Sequence, residues 1–300
     1  MKKLGFLLLL FITCAAFAQP EPNLARYKTT EQKLLAWVKY CNEIQNAEHY
    51  SALLAAAEKG IILSQKHPAF LSKFYYFKGY AYEFSNNQYK EALVNYEASL
   101  KYAKKARHLK NLTIALSRLN YMYYALNETS KNAALANYVK KVLDTTKNTY
   151  TKAVLYGSIA EYYLNNAQYE TFIEYQLKAI TFKKQISKTV ANTENIGISY
   201  SQIAAAYTKM KQYEKALEYL HEAKPYVKSS PYVSAFLCNY YLQCFVPMKK
   251  PDSIQKYYRL INTYSTVKDS LFLNLSFANR SLSEYYVNER QNNAACYYAK

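Results

Sequence analysis

The sequence predicts an all-α protein, a solenoid of about seven antiparallel helix pairs. Three observations lead there: a small-and-aromatic pattern at helical spacing, its return about every 40 residues, and a shortage of turn residues. Only 5 glycines and 7 prolines occur in 300 residues, too few for an all-β chain with its many tight turns. Hydrophobic residues make up 51%, enough for a folded core. A solenoid grows without a single central core, so length does not set the domain count. No linker rich in Gly, Ser or Pro interrupts the pattern, and residues 19–300 read as one continuous array.

The first 18 residues stand apart. Lys2 and Lys3 precede an apolar run from Leu4 to Ile12, and Ala16-Phe17-Ala18 precedes Gln19. That is the layout of a secretory signal peptide, with cleavage expected after Ala18. The run is too short to span a bilayer, and no later stretch approaches such a length. Lipidation at Cys14 is the alternative, and Thr13 is a poor fit to the small residue it would want there. The mature chain is expected to be exported, to the periplasm or the outer face of the cell envelope.

The clearest helix pair is "YSQIAAAYTKMKQYEKALEYLHEAK", residues 200–224. Ile203, Ala204, Tyr207 and Met210 share one helical stripe; Tyr213, Ala216, Leu217, Leu220 and Ala223 form a second after a short polar break. Alanines at facing positions let two backbones approach, and tyrosines fill the wider gaps between them. Residues 156–180 repeat this with Ala160, Tyr163, Tyr169 and Ala179. Residues 74–100 do so with Gly79, Tyr82, Tyr89, Ala92, Tyr96 and Ser99, and one extra residue in the turn. Weaker copies centre on Asn120 with Tyr123, on Cys238 with Tyr241, and on Ser283 with Tyr286 and Ala295. A divergent first pair runs from about Leu34 to Leu63, around Tyr40 and Ala52. Measured along Tyr40, Gly79, Asn120, Ala160, Ala204, Cys238 and Ser283, the offsets are 39, 41, 40, 44, 34 and 45.

The pair at 200–224 resembles the tetratricopeptide repeat (TPR): Tyr200 at the first aromatic position, Ile203-Ala204 at the Leu-Gly pair, then Tyr207, Ala216, Leu220 and Ala223. The resemblance extends to residues 74–100 and 156–180 and, through degenerate copies, over most of the mature chain. It implies a right-handed superhelix. Phe172 stands where the family has the second-helix alanine, which implies locally spread helices. Offsets near 40 exceed the roughly 34 residues of this family and overlap the roughly 40–47 of HEAT and armadillo arrays, the structural rival. The small-residue pattern decides for TPR with lengthened helices or connections. A signal peptide ahead of long-period, tyrosine-rich repeats also looks like the N-terminal periplasmic sensory region of Bacteroidetes-type envelope regulators. There the array is followed by a membrane helix and a histidine kinase or DNA-binding domain. The last repeat here stops mid-pattern, with Ala294, Ala295, Tyr297 and Tyr298 asking for partners, so the natural chain is expected to continue past Lys300. The rival reading is a short end helix that pairs with another chain.

Nothing reads as an active site. His49, His67, His108 and His221 are scattered, with no i, i+4 pair and no metal-ligand spacing. No Gly-rich phosphate loop or nucleophile elbow occurs. Isolated acids such as Glu161 and Glu284 read as surface charge. Four cysteines, Cys41, Cys238, Cys244 and Cys296, remain after the signal and do not make a disulfide framework. The expectation is a non-enzymatic chain without cofactor or metal. The net charge of +18 loses Lys2 and Lys3 with the signal. Export sets nucleic acid aside as a partner, and the basic run 101–110 reads as cations gathered at a helix C-terminus.

Function is therefore sought in a surface. In arrays of this kind the first helix of each pair lines a concave groove. Counting along each repeat, those positions hold Tyr76, Tyr80 and Glu83; Ser117, Tyr121 and Tyr124; and Glu161 and Asn165. Next come Ser201, Thr208 and Lys209; Asn239 and Gln243; and Arg280 and Glu284. Exposed Tyr with Asn, Ser and Gln suits protein or peptide binding. The Lys/Asn clamp that some relatives of the family place on a terminal carboxylate does not occur here. A stand-alone adaptor of an envelope or secretion assembly and, less so, glycan binding are the alternatives. A membrane would be met only through a segment downstream.

Overall fold

The computed structural model describes residues 20–227, 231–265, 272–291, 294, 295 and 298. The signal segment with Cys14, and Cys296 and Tyr297 at the other end, lie outside the described residues. Among the described residues there are thirteen α-helices and no strand. They are α1 Thr30–Asn46, α2 Tyr50–Leu63, α3 Pro68–Asn86, α4 Tyr89–Lys105, α5 Leu109–Ala125, α6 Thr129–Thr145 and α7 Thr149–Asn165. Then follow α8 Tyr169–Lys183, α9 Val190–Lys209, α10 Tyr213–Ala223, α11 Pro231–Phe245, α12 Pro251–Ser265 and α13 Phe272–Asn288. Odd-numbered helices are the first, or A, helix of each pair and even-numbered ones the B helix. Two compact units divide the chain, one ending at Asn132 and the other beginning at Ala133.

Helix starts and turns follow a repeated chemistry. Four A helices open on side-chain caps: Thr29, in a capping box with Gln32, then His108, Asn148 and Thr189. Each satisfies a backbone N–H that the first turn leaves unpaired. The A-to-B turn takes the same form in all seven pairs, with one extra residue in the α3–α4 turn, where Gln88 reaches back to Tyr82. Glu48, Asn87, Asn127, Ala167, Lys211, Lys249 and Arg290 each take a left-handed backbone, with φ between 53° and 60°. The following N–H then reaches back to a carbonyl of the last helical turn, as Gln212 does to Tyr207 at 2.9 Å and Gln168 to Tyr163 at 2.9 Å. Five of these residues are neither Gly nor Asn, so the turn is made without the residue types that adopt it most easily.

This turn fixes the register of the repeats. Counted back from it, the counterpart of Ala204 in the first pair is Cys41 rather than Tyr40, and in the sixth pair Leu242 rather than Cys238. Cys41 and Leu242 are both 0% exposed. Cys238 is also buried, one helical turn earlier. The line Cys41, Gly79, Asn120, Ala160, Ala204, Leu242, Ser283 then has a spacing near 40 residues throughout, and the short offset followed by a long one disappears. The sequence misleads here because α11 carries both Tyr241 and Phe245, and either fits the aromatic position. On the B helices the facing positions are Leu53, Ala92, Asn132, Phe172, Ala216, Ile254 and Ala295, all buried.

In the first unit α1 to α5 pack in sequence, with α1–α3 and α3–α5 as A-to-A neighbours. Gly79 is where α3 meets α4 most closely: a Cβ there would lie 2.8 Å from the ring of Tyr96, itself fully buried. Buried Ser72 and Ser99 satisfy each other's carbonyls across the same pair, at 2.9 and 2.8 Å. In the second unit α7 to α13 pack in sequence, with α9–α11 and α11–α13 as A-to-A neighbours. Ala160, Ala179, Ala204, Ala216 and Ala223 are each 0% exposed. Phe172 is fully enclosed beside them. Stacked rings tie each hairpin of this unit: Tyr163 on Tyr175 at 5.3 Å, Tyr207 on Tyr219 at 5.3 Å, Phe245 on Tyr257 at 5.6 Å and Tyr286 on Tyr298 at 5.5 Å. Much of the tyrosine excess is thus inter-helix packing. Among the described residues no helix is long and apolar enough to cross a membrane.

Candidate functional site on the A helices

In the first unit the candidate positions on α3 and α5 converge on a buried charge. Glu83 is 5% exposed. It accepts a hydrogen bond from the Tyr96 hydroxyl at 2.5 Å and one from the Arg118 guanidinium at 3.3 Å. Burial disfavours the charge on Arg118, but Glu83 and the neighbouring tyrosines more than offset it and hold its pKa above the usual range. Burial and then Glu83 drive the Tyr96 hydroxyl well above 10.0, so it stays a donor. Arg118 also lies over the rings of Tyr80 and Phe84, 5.3 and 5.6 Å from their centroids. Tyr80 stacks on Phe84 at 4.3 Å, and Tyr50 lies 6.0 Å from Phe84. Tyr76 is buried, and its hydroxyl accepts from Gln45 at 3.1 Å. The face left to solvent holds Phe84, Tyr121 and Tyr124, with Tyr121 edge-on to Tyr89. Ser117 is half-buried next to Arg118.

In the second unit Glu161 is half-buried and Asn165 exposed on α7. Burial lowers the pKa of Lys183 to about 8, against the raising effect of Glu161, and its ammonium donates to Ser199 at 2.7 Å. Ser201 is 2% exposed and donates to the Gly197 carbonyl at 3.0 Å; Asn239 is 5% exposed. Both lie inside the A-helix packing, with no surface to offer a partner.

Thr208, Lys209, Gln243, Arg280 and Glu284 are brought together. They line a cavity of about 890 Å³ formed by α9, α11, α13 and their following turns. Its floor is Thr208, whose hydroxyl donates to the Ala204 carbonyl at 3.0 Å and sits 3.4 Å from the buried Cys244 thiol. Two ion pairs cross its wall, Arg280–Glu284 at 3.1 Å and Lys249–Glu289 at 2.8 Å. Phe277 adds a half-exposed ring and Val246 an apolar patch. The volume lies within the usual range of ligand cavities, about 300–1,000 Å³. Three consecutive A helices thus supply hydroxyl, amide, charged and aromatic groups to one open site, which suits recognition of a peptide segment.

Sequence reasoning missed Arg118, Phe84, Lys211, Lys249, Phe277 and Glu289. The left-handed turn position was the available signal for Lys211 and Lys249. For Arg118 it was a lone cation within the apolar run "ALSRL". The other features hold no surprise. His108 caps α5, with Nδ1 accepting from the Asn111 N–H at 3.3 Å. Lys104 and Lys105 close α4, as expected of a basic run at a helix C-terminus. Cys41, Cys238 and Cys244 are free and buried. Among the described residues no group of His, Cys, Asp or Glu has a metal-holding arrangement.

No protein-family model matches the chain, and no curated protein matches its sequence significantly. Solved structures do match. The apo form of RapI superposes with a TM-score of 0.64 at 9% identity, over 89% of this chain and 95% of that one. The nearly identical TPR-like repeats of a putative kinesin light chain from Podosopora anserina give 0.50 at 15% identity, over 68% and 98%. The C-terminal part of a TPR repeat-containing protein from Cytophaga hutchinsonii gives 0.47 at 17%, over 87% and 92%. At such identities the likeness is one of fold, and the fold of this chain is that of a TPR-like helical-repeat array.

Proposed function

We propose that the chain is a non-enzymatic binding scaffold that works outside the cytoplasm and captures a protein or peptide segment. The α9–α11–α13 cavity is the observation that carries this reading. A stabilising core element would be filled, whereas this one is open and lined by side chains of mixed polarity drawn from three consecutive A helices. Its polar groups sit on helices, so the site is pre-organised and little ordering entropy opposes capture. The signal-like N-terminus and the long-period repeats support placing the scaffold in the envelope, as the sensory part of a longer regulator with a kinase or DNA-binding output.

A photo-crosslinker at Gln243, inside the cavity, tests the capture. Irradiated cells should yield a discrete adduct from Gln243 and none from exposed Glu218 on α10. Equal labelling from both positions, or none from Gln243, overturns the reading. The regulatory half predicts that deletion changes transcription of a defined gene set. A stable envelope complex with an unchanged transcriptome would instead make the chain an adaptor.

A further inference from the structure

A second cavity, sharing no residue with the first, lies among the 3-10 turn Lys224–Tyr226, α11 and α12. Its volume is about 300 Å³, at the lower end of the range for small-molecule sites and well above the sub-water voids of ordinary packing. The walls are apolar: Val227, Leu237, Leu260 and the stacked pair Tyr241–Tyr257, whose rings are 4.2 Å apart. Cys238 closes the bottom. Burial pushes its thiol up to about 12, against the lowering influence of Lys224, so at neutral pH it is a protonated, apolar surface rather than a nucleophile.

The charge around this pocket is one-sided. Among the described residues Lys224 and Lys256 contribute to the lining, both exposed, and no Asp or Glu does. The first cavity differs, since two of its cations are already paired with carboxylates. An apolar chamber with two cations and no anion is complementary to a molecule with an apolar body and a negative head. A neutral ligand would leave the lysines unused, and a cation would be repelled.

We propose that this pocket binds a small amphipathic carboxylate, its apolar body against Tyr241, Tyr257 and Leu260 and its carboxylate between Lys224 and Lys256. The walls come from three consecutive elements, so the ligand binds only the folded arrangement and stabilises it by mass action.

Calorimetry and thermal denaturation on the full exported chain test this with hexanoate, octanoate, decanoate and 4-phenylbutyrate, against 1-octanol and octylammonium. Octanoate should bind saturably at one site, tightening by about fourfold per added methylene until the chamber is full. Octanol should bind at least ~10-fold more weakly, and octylammonium should be silent. Tighter binding of phenylbutyrate than of octanoate would assign the pocket to aromatic acids, and the reverse order to aliphatic ones. Lys224→Ala with Lys256→Ala changes two exposed side chains, leaves the fold intact and should weaken octanoate by about 10-fold. Leu260→Trp should fill the chamber and abolish binding; should that variant lose helicity, the lysine pair decides. Equal affinity for octanoate and octanol, or no effect of the lysine pair, overturns the carboxylate assignment. No saturable binding of any acid up to millimolar concentration overturns the site.

Discussion

Glu83 and Glu284 are both acids on A helices, in the first and second unit respectively, and they end in opposite states. Glu83 is closed over: Tyr96 rises from α4 and Arg118 comes across from α5, so that three helices share one charge pair. Glu284 pairs with Arg280 on its own helix, one turn away, and stays in water. The difference shows that repeat register alone does not decide whether an A-helix side chain is offered to a partner. The neighbouring B helix and the next A helix decide it, according to whether they bring a group large enough to cover it. The first unit brings Tyr96 and Arg118, and its surface becomes an aromatic face with its charge satisfied inside. In the second unit Ser201 and Asn239 turn inward, and a polar cavity opens among Thr208, Gln243 and Arg280.

The largest expected effect breaks that comparison at Glu83. Glu83→Gln leaves the partly buried Arg118 charge without its counter-ion and should cost about 1.5–3 kcal/mol. Glu284→Gln removes an exposed i, i+4 pair and should change stability by less than about 0.5 kcal/mol. Urea denaturation followed by circular dichroism measures both. Similar losses from the two variants would mean that the charge pair of the first unit is as well solvated as that of the second.

A second test uses one half-buried lysine from each unit. Lys73 lies over Tyr76 and Phe77, 4.5 and 4.4 Å from their centroids, and burial with the help of Lys110 lowers its pKa to about 8. Lys183 is lowered likewise, to about 8. In the unfolded chain both hold their proton up to 10.5. Between pH 8 and 10.5 these two groups therefore bind more protons in the unfolded state and push stability up as pH rises. The opposite trend begins near pH 9, where unfolded thiols ionise while Cys41 and Cys238, pushed by burial up to about 12, stay protonated. It steepens above pH 10, where unfolded tyrosines ionise while Tyr240, also held at about 12, stays neutral. Maximum stability is expected near pH 9, and Lys73→Met should remove the first unit's share of the rise, about 1 kcal/mol. A melting temperature flat from pH 8 to 9 would show both ammonium groups to be hydrated.

The architecture was legible in the sequence because it rests on local patterns. Small residues at facing positions, such as Gly79, Ala160 and Ala204, can be counted without knowing what they face. Register slipped where two aromatics competed, at Tyr241 and Phe245, since only the left-handed Lys249 after α11 shows which of them ends the helix. The candidate site was legible in part. Thr208, Lys209, Gln243, Arg280 and Glu284 share a cavity, yet Glu83, Ser201 and Asn239 are buried, because burial depends on residues from other helices that periodicity does not see. Arg118 was missed for the same reason: its role comes from Glu83, 35 residues away in sequence.

The smallest expected effect concerns the turns common to both units. Ala167 in the second unit holds φ 55° with no side-chain group to ease it, whereas Asn127 in the first holds φ 57° as one of the residue types that tolerate this region. Left-handed backbone costs an ordinary residue about 1–2 kcal/mol, which glycine escapes. Glycine also adds about 0.4–1 kcal/mol of unfolded-state entropy, which works against the gain. The balance predicts that Ala167→Gly stabilises the chain by roughly 0.5 kcal/mol, while Asn127→Gly has an effect near zero. Ala167 is exposed, so no packing change confounds the measurement. A loss at Ala167 as large as the predicted gain would mean that the unfolded-state term outweighs the strain of the turn. The seven non-glycine turns would then be a stabilising choice rather than a tolerated one.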